Sequence, residues 1–364
     1  MRVAVDVREL CGRPTGVGRY VSGLLEAWGD NATARRHQWV LYAHARPTVP
    51  DPWHPQVRVI DGGGGTAWEQ FSFPRALSAQ RPDVLFAPGY TAPLTVAAPT
   101  VVTVHDVSFF AHPEWFSFRE GTRRRALTAW SARRARRVIT DSEFSKSEIL
   151  RYIGIDAAKI RTIALGIDQP APGREPGTGI REPMVLYVGS IFERRRVDQL
   201  IEAFDLVAAQ VPNASLEIAG ENRTRRPRLD LEVLRARTRY ADRIHLRSYV
   251  DDTTLQSLYQ RASVLAFLSE YEGFGFTPLE ALAAGVAPLV LDTPIARETC
   301  GDAARYVSPG APAAQVAQSL TELLTSTTAR RELLQRATPV LSRYDWDLTA
   351  AETLKVLEEA AVGR

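Results

Sequence analysis

Apolar residues along this chain fall into two textures. Short unbroken runs alternate with longer stretches in which apolar positions recur every three or four residues. The first texture is that of strands buried on both faces, and the second is that of helices with one apolar stripe. In the first half the runs lie at 2–7, 39–42, 57–60, 84–87, 100–105, 138–140 and 160–164. After residue 183 they restart at 184–188, 216–219, 244–246, 264–266 and 287–291. Strand and helix alternating in this way predict parallel sheets covered by helices. Residues 171–183 separate the two series; they are rich in proline and glycine, lack periodicity, and read as a linker. The expected plan is an N-terminal α/β unit over 1–170, a linker over 171–183, a second unit over 184–344, and a C-terminal amphipathic helix in 345–364 that crosses back to the first unit.

Composition agrees with two units. A chain of 364 residues exceeds the usual size of one core, and 45% apolar with 24% charged residues is ordinary for a globular protein. The first seven residues alternate like a strand, unlike a signal peptide, and no apolar stretch approaches a bilayer span. Cys11 and Cys300 stand alone, so neither a disulfide framework nor a Cys-x-x-Cys zinc site is indicated, and a cytoplasmic location is expected. A net charge of +3 is too small to point to nucleic acid, which is not expected as a partner. The arginines are unevenly spread: Arg123, Arg124, Arg125, Arg133, Arg134, Arg136 and Arg137 crowd 116–137 together with Leu127 and Trp130.

Candidate chemistry clusters after the runs. Beyond 264–266 comes Glu270-Tyr271-Glu272-Gly273-Phe274-Gly275-Phe276-Thr277-Pro278-Leu279-Glu280, with Thr277 as the expected helix cap, Pro278 in the first turn and Gly285 at the end. Gly273 and Gly275 let backbone amides approach a ligand, and a loop feeding a helix N-terminus suits phosphate or sugar hydroxyls. Glu272 in that loop and Glu280 a turn inside the helix can serve two ends of one ligand. Gly189-Ser190-Ile191-Phe192-Glu193-Arg194-Arg195-Arg196 follows another run and brings cations to a strand end. Gly16 and Gly18 follow the first run and open a helix, without the full dinucleotide fingerprint. His105 and Asp106 close the 100–105 run; Asp106 either orients the imidazole or faces an acceptor. Asp345-Trp346-Asp347 spells Asp-x-Asp, which reads better as a helix cap than as a metal site.

These motifs resemble the retaining glycosyltransferases of family four. Their hallmark Glu-x7-Glu matches Glu272 and Glu280, and their Arg-Lys pair matches Arg194 and Arg195, with arginine in place of lysine. Arg196 stands where asparagine is common. The resemblance extends through Asp141-Ser142-Glu143-Phe144-Ser145 and Arg297-Glu298-Thr299-Cys300-Gly301-Asp302, where Arg297 departs from the usual proline. It implies an α/β GT-B fold, two Rossmann-like domains with a cleft between them. It also implies retaining, metal-independent transfer of a hexose from a nucleotide-diphosphate sugar, with no cofactor. On that basis Glu272 lies beside the donor sugar, Glu280 on the ribose, and Arg194 and Arg195 on the diphosphate. Gly16, Gly18, Gly189, Gly273, Phe274 and Gly275 approach the donor, and His105 flanks the sugar. His105-Asp106, with Trp68-Glu69-Gln70 and Pro88-Gly89-Tyr90, is similar to a branch of bacterial mannosyltransferases. That likeness suggests mannose from GDP-mannose, and Asp106, Tyr90 and Trp68 as contacts to a hydroxyl acceptor on a glycan, a lipid-linked sugar or a small molecule. Membrane-associated members place a basic helix on anionic lipid, which makes 116–137 the expected site of peripheral contact at the inner membrane face. The competing expectations are another GT-B enzyme, such as a phosphorylase or epimerase, and a non-catalytic nucleotide-sugar-binding subunit.

Overall fold

The computed structural model describes residues 1–12, 15–168, 181–225 and 228–362. Most of the expected linker, 171–180, lies outside the described residues. The chain forms two compact units: Met1–Gly166 with Tyr344–Arg364, and Ile167–Arg343.

The first unit is a seven-stranded parallel sheet. Its strands are β1 (Arg2–Asp6), β2 (Gln38–Ala43), β3 (Val57–Val59), β4 (Val84–Ala87), β5 (Thr100–Thr103), β6 (Arg137–Thr140) and β7 (Ile160–Thr162). They lie in the order β3-β2-β1-β4-β5-β6-β7. Val3, Val5, Val84, Leu85, Phe86, Val101 and Val102 are fully buried, as strands sandwiched between helices must be. The helices that matter for the site are α1 (Gly16–Asp30), α2 (Phe118–Arg134) and α3 (Glu143–Ile153). Thr15, Ser117 and Ser142 cap them by accepting from the backbone amides of Gly18, Glu120 and Ser145.

The second unit repeats the plan with six parallel strands in the order β10-β9-β8-β11-β12-β13. These are β8 (Met184–Val188), β9 (Ser215–Ala219), β10 (Ile244–Arg247), β11 (Val264–Phe267), β12 (Ala287–Leu291) and β13 (Arg305–Val307). Its core is built on Val185, Leu186, Phe204, Leu265 and Leu289. The helices α4 (Val197–Gln210) and α5 (Phe276–Ala283) follow β8 and β11. Strand order reverses between β1 and β4 in one sheet and between β8 and β11 in the other. Ligands of doubly wound sheets bind at such switch points, beyond the strand C-terminal ends.

The last helix, α6 (Trp346–Val362), belongs to the first unit. Trp28 donates its indole N–H to the Ala350 carbonyl at 2.9 Å, and the Thr349 hydroxyl donates to the Ala164 carbonyl at 2.8 Å. Asp345 Oδ1 accepts from the Leu348 amide at 2.9 Å, so its carboxylate caps this helix.

Three expectations need correction. Residues 104 and 105 lie beyond β5, and 163 and 164 beyond β7, because both strands end where their neighbours stop pairing. The edge strand β13 was not foreseen; only three residues long, it carries too little apolar pattern to stand out. Helix α5 starts after Gly275 rather than at a Thr277 cap. Gly275 adopts φ +96°, a left-handed turn that a side chain resists, and no side-chain cap is needed.

Candidate active site

In the second unit the two switch-point loops are joined by two ion pairs, Arg195–Glu272 and Arg196–Glu270. Arg195, after β8, donates its Nε–H to Glu272 Oε1, after β11, at 2.9 Å. A second guanidinium N–H goes back to the Ser190 carbonyl at 2.9 Å. The Arg195 plane also lies over Phe267, 5.0 Å from the ring centroid. Ser269 gives Glu272 Oε1 its hydroxyl at 2.8 Å. Burial pushes the Glu272 carboxyl up, but Arg195, Arg194 and these hydrogen bonds outweigh it and hold it below its ordinary value. Glu272 is therefore a carboxylate at neutral pH.

Arg194 stacks on Phe192 at 4.4 Å and donates to the Tyr271 carbonyl at 3.3 Å. Arg196 has φ +50° and pairs with Glu270. The left-handed backbone is the kind that asparagine tolerates, which accounts for the usual residue at this place. The close approach of β8 to β9 is also fixed: a Cβ on Gly220 would sit 1.9 Å from the Gly189 carbonyl oxygen. Glu280 accepts from the Tyr259 hydroxyl at 3.0 Å through Oε2. Helix α5 ends in a Schellman turn, with Gly285 and Val286 amides on the Leu282 and Ala281 carbonyls at 2.9 and 2.7 Å. Ser269, Glu272, Phe274 and Gly275 line a narrow pocket together with Thr293, Ile295 and Cys300.

In the first unit the corresponding strand ends carry a different network. His105, just past β5, places Nδ1 2.7 Å from Asp141 Oδ2, at the end of β6. Its Nε2 lies 2.8 Å from the Pro88 carbonyl, at the end of β4. Asp106 does not orient this ring; it accepts the Tyr90 hydroxyl at 2.6 Å and the Ser108 amide at 2.7 Å. Asp141, which stands in the sequence only as the first residue of the Asp141–Ser145 resemblance, is the imidazole's partner.

Nearby, Arg8 is held by Asp6 at 3.1 Å and by Glu69, with Thr91 bonded to the same Glu69 oxygen. Burial, against the pull of Arg8, raises the Asp6 carboxyl to about 6. Trp68 does not serve as an acceptor contact: it is 2% exposed, stacks on Phe73, and gives its indole N–H to the Ile60 carbonyl. Gly18 sits in the first turn of α1, its amide on Thr15 Oγ1 at 3.0 Å, with Gly16 one residue past that cap.

Two parallel-sheet units, each with charged loops at its switch point, make a protein of the two-Rossmann kind, and the comparisons with known proteins make it a glycosyltransferase. The family model for glycosyltransferase family 4 matches residues 14–169, and that for group 1 glycosyl transferases matches residues 174–339. The glycogen synthase of Mycobacterium tuberculosis is 30% identical over 309 residues, spanning 78% of this chain and 70% of that one. A GDP-mannose:cellobiosyl-diphosphopolyprenol alpha-mannosyltransferase of Komagataeibacter xylinus is 28% identical over 65% of this chain and 59% of its own. Among solved structures, Anabaena HepE in complex with UDP and glucose superposes with a TM-score of 0.76 at 17% identity, covering 99% and 100% of the two chains. The chain belongs to the family-4 glycosyltransferases of GT-B fold.

Proposed function

We propose that the protein transfers a hexose from a nucleoside-diphosphate sugar to an acceptor hydroxyl, with retention at the anomeric carbon and without a metal. The observation that carries this reading is the Arg195–Glu272 pair, which joins the two switch-point loops with Arg194 beside it. Arg194 and Arg195 present fixed positive charge to the departing diphosphate; such preorganised charge is the largest single source of rate in many enzymes. Glu272, held as a carboxylate, steadies the positive charge that develops on the donor sugar. Glu280 takes the ribose hydroxyls, and the Gly273 and Gly275 backbone approaches the sugar. In the first unit, the family resemblance gives Gly16, Gly18 and His105 to the donor, and Tyr90 and Asp106 to the acceptor. GDP-mannose is the first donor to try, because a relative is named for that substrate; HepE holds UDP and glucose, so uridine donors come second.

The basic helix α2 is proposed to meet an anionic membrane surface. Phe118 and Trp130 are 84% and 53% exposed, among the exposed Arg119, Arg123 and Arg134. No described helix is long and apolar enough to cross a bilayer.

The binding assignment is tested by thermal shift with GDP-mannose, UDP-glucose and the free nucleotides. A true donor at a hundred times its Kd stabilises the wild type by about 2.7 kcal/mol. Glu280→Ala abolishes that shift while leaving the unliganded melting temperature within a few degrees. An unchanged shift in the variant removes the ribose role.

A further inference from the structure

His105 has no free ring nitrogen. Nδ1 faces a carboxylate oxygen of Asp141 at 2.7 Å and Nε2 faces the Pro88 carbonyl at 2.8 Å. The Pro88 carbonyl only accepts, and Asp141, although burial pushes its carboxyl up, only accepts as a carboxylate; with Asp141 ionised both ring nitrogens donate, and only the imidazolium can do that. Neutral histidine would turn a lone pair towards one of these oxygens. Burial disfavours the cation, yet Asp141, the Pro88 carbonyl and Asp106 prevail and hold the ring above its ordinary value. The titratable groups facing the ring are Asp141 from β6, Asp106 on its own loop, and the phenols of Tyr20 and Tyr90, whose rings lie edge-on at 5.1 and 5.3 Å. Asp141 is 3% exposed, and its Oδ1 has no partner among the described residues. The bond to His105 is thus what compensates the buried carboxylate.

The second N–H points to what the pair does. Pro88 leads into Gly89 and Tyr90, and Tyr90 sits at φ +66°, uncommon for a non-glycine residue. The Thr91 amide bonds back to the Gly89 carbonyl at 2.8 Å across Tyr90, a three-residue turn of the strained, positive-φ kind. Such strain persists only where the surroundings over-determine it, and it clusters at functional sites. Here His105 holds the entrance of the turn at Pro88, Asp106 holds the Tyr90 hydroxyl, Thr103 accepts the Tyr90 amide at 2.9 Å, and Glu69 holds Thr91 beyond it.

We propose that Asp141 is a positioning residue: it fixes His105 as a doubly donating cation, and the second N–H of that ring clamps the Pro88 carbonyl so that the strained turn presents Tyr90 at the sheet edge. His105 therefore does not trade protons with substrate; it is a charged strut. This rests on the sugar-transfer reading only for the rates below.

Ring nitrogen NMR on the full-length protein, with His105 assigned by comparison with His105→Gln, decides the charge directly. In the wild type His105 carries two N–H protons at pH 7.5, and in Asp141→Asn, which can still accept from Nδ1, it is neutral there. Donor hydrolysis, measured as GDP release from GDP-mannose or UDP release from UDP-glucose, gives the second readout. The wild-type rate is level between pH 5.5 and 7.5. Asp141→Asn loses at least about tenfold at pH 7.5, the scale of a misplaced site group, and regains rate as the pH is lowered and the ring recharges. A neutral wild-type His105 at pH 7.5 overturns the proposal, as does an Asp141→Asn enzyme with wild-type rate and a level profile. If Asp141→Asn does not fold, the wild-type spectrum alone decides. If the wild type releases no nucleotide from either donor, the transfer reading fails while the spectrum still decides on the strut.

Discussion

At the scale of single residues, the site divides into what spacing reveals and what only register reveals. Glu272 and Glu280 are legible because a carboxylate in a glycine loop and another a turn into the following helix are local in sequence. Arg194 and Arg195 are legible for the same reason, since they follow a strand. Their pairing is not: Arg195 and Glu272 lie 77 residues apart and meet only because β8 and β11 are neighbours. Asp141 shows the point most clearly. β5 pairs with β6 through Thr103 and Ile139, and continuing that offset puts Asp141 beside His105. Without the register, adjacent Asp106 is the natural candidate. The Arg195–Glu272 pair also has a pH consequence. Glu272 is held below its ordinary value of 4.5, so its ionised form contributes stability that is fully present above that pH and is lost as pH falls through the lower folded value. Glu272→Gln is expected to melt below the wild type at pH 7, with the gap closing as the pH falls below 4.5. Melting curves across that range check it; a gap that stays constant means the pair adds no net stability through its charge.

At the scale of elements, the strand runs and the helix periods were readable because buried parallel strands are apolar throughout and their helices are striped. Where a short polar element sits at a sheet edge, as β13 does, that signal fades. The start of α5 escaped for a different reason: its boundary is set by the φ of Gly275, a backbone property, whereas Thr277 and Pro278 are good first-turn residues wherever the helix begins. Asp345-Trp346-Asp347 is resolved by geometry as well, since Asp345 spends a carboxylate oxygen on the Leu348 amide. Helix α2 carries the element-scale prediction. Trp130 shares one helix face with the exposed Arg119, Arg123 and Arg134, and each cation near an anionic surface contributes about 1 kcal/mol. The protein should cosediment with vesicles containing phosphatidylglycerol and not with pure phosphatidylcholine. Phe118→Ser with Trp130→Ser should weaken that binding severalfold. Equal sedimentation with both lipids rules the surface out.

At the scale of the whole molecule, two doubly wound sheets each place their charged loops at the reversal of strand order. The second unit concentrates the arginine–carboxylate chemistry expected of a diphosphate and a sugar. The first concentrates a hydrogen-bonded strut and a strained tyrosine turn. This division was foreseeable in outline, because each motif follows a strand, but the sheet orders that make the loops neighbours were not. The central claim is that the Arg195–Glu272 site breaks a sugar–diphosphate bond with retention, and proton NMR of the donor reaction tests it most directly. With GDP-α-mannose or UDP-α-glucose, the wild type should release the nucleoside diphosphate and form first a product or free sugar of α configuration, and Glu272→Gln should slow this by about 100-fold or more. A first-formed β anomer, or a Glu272→Gln enzyme as fast as the wild type, would contradict the account.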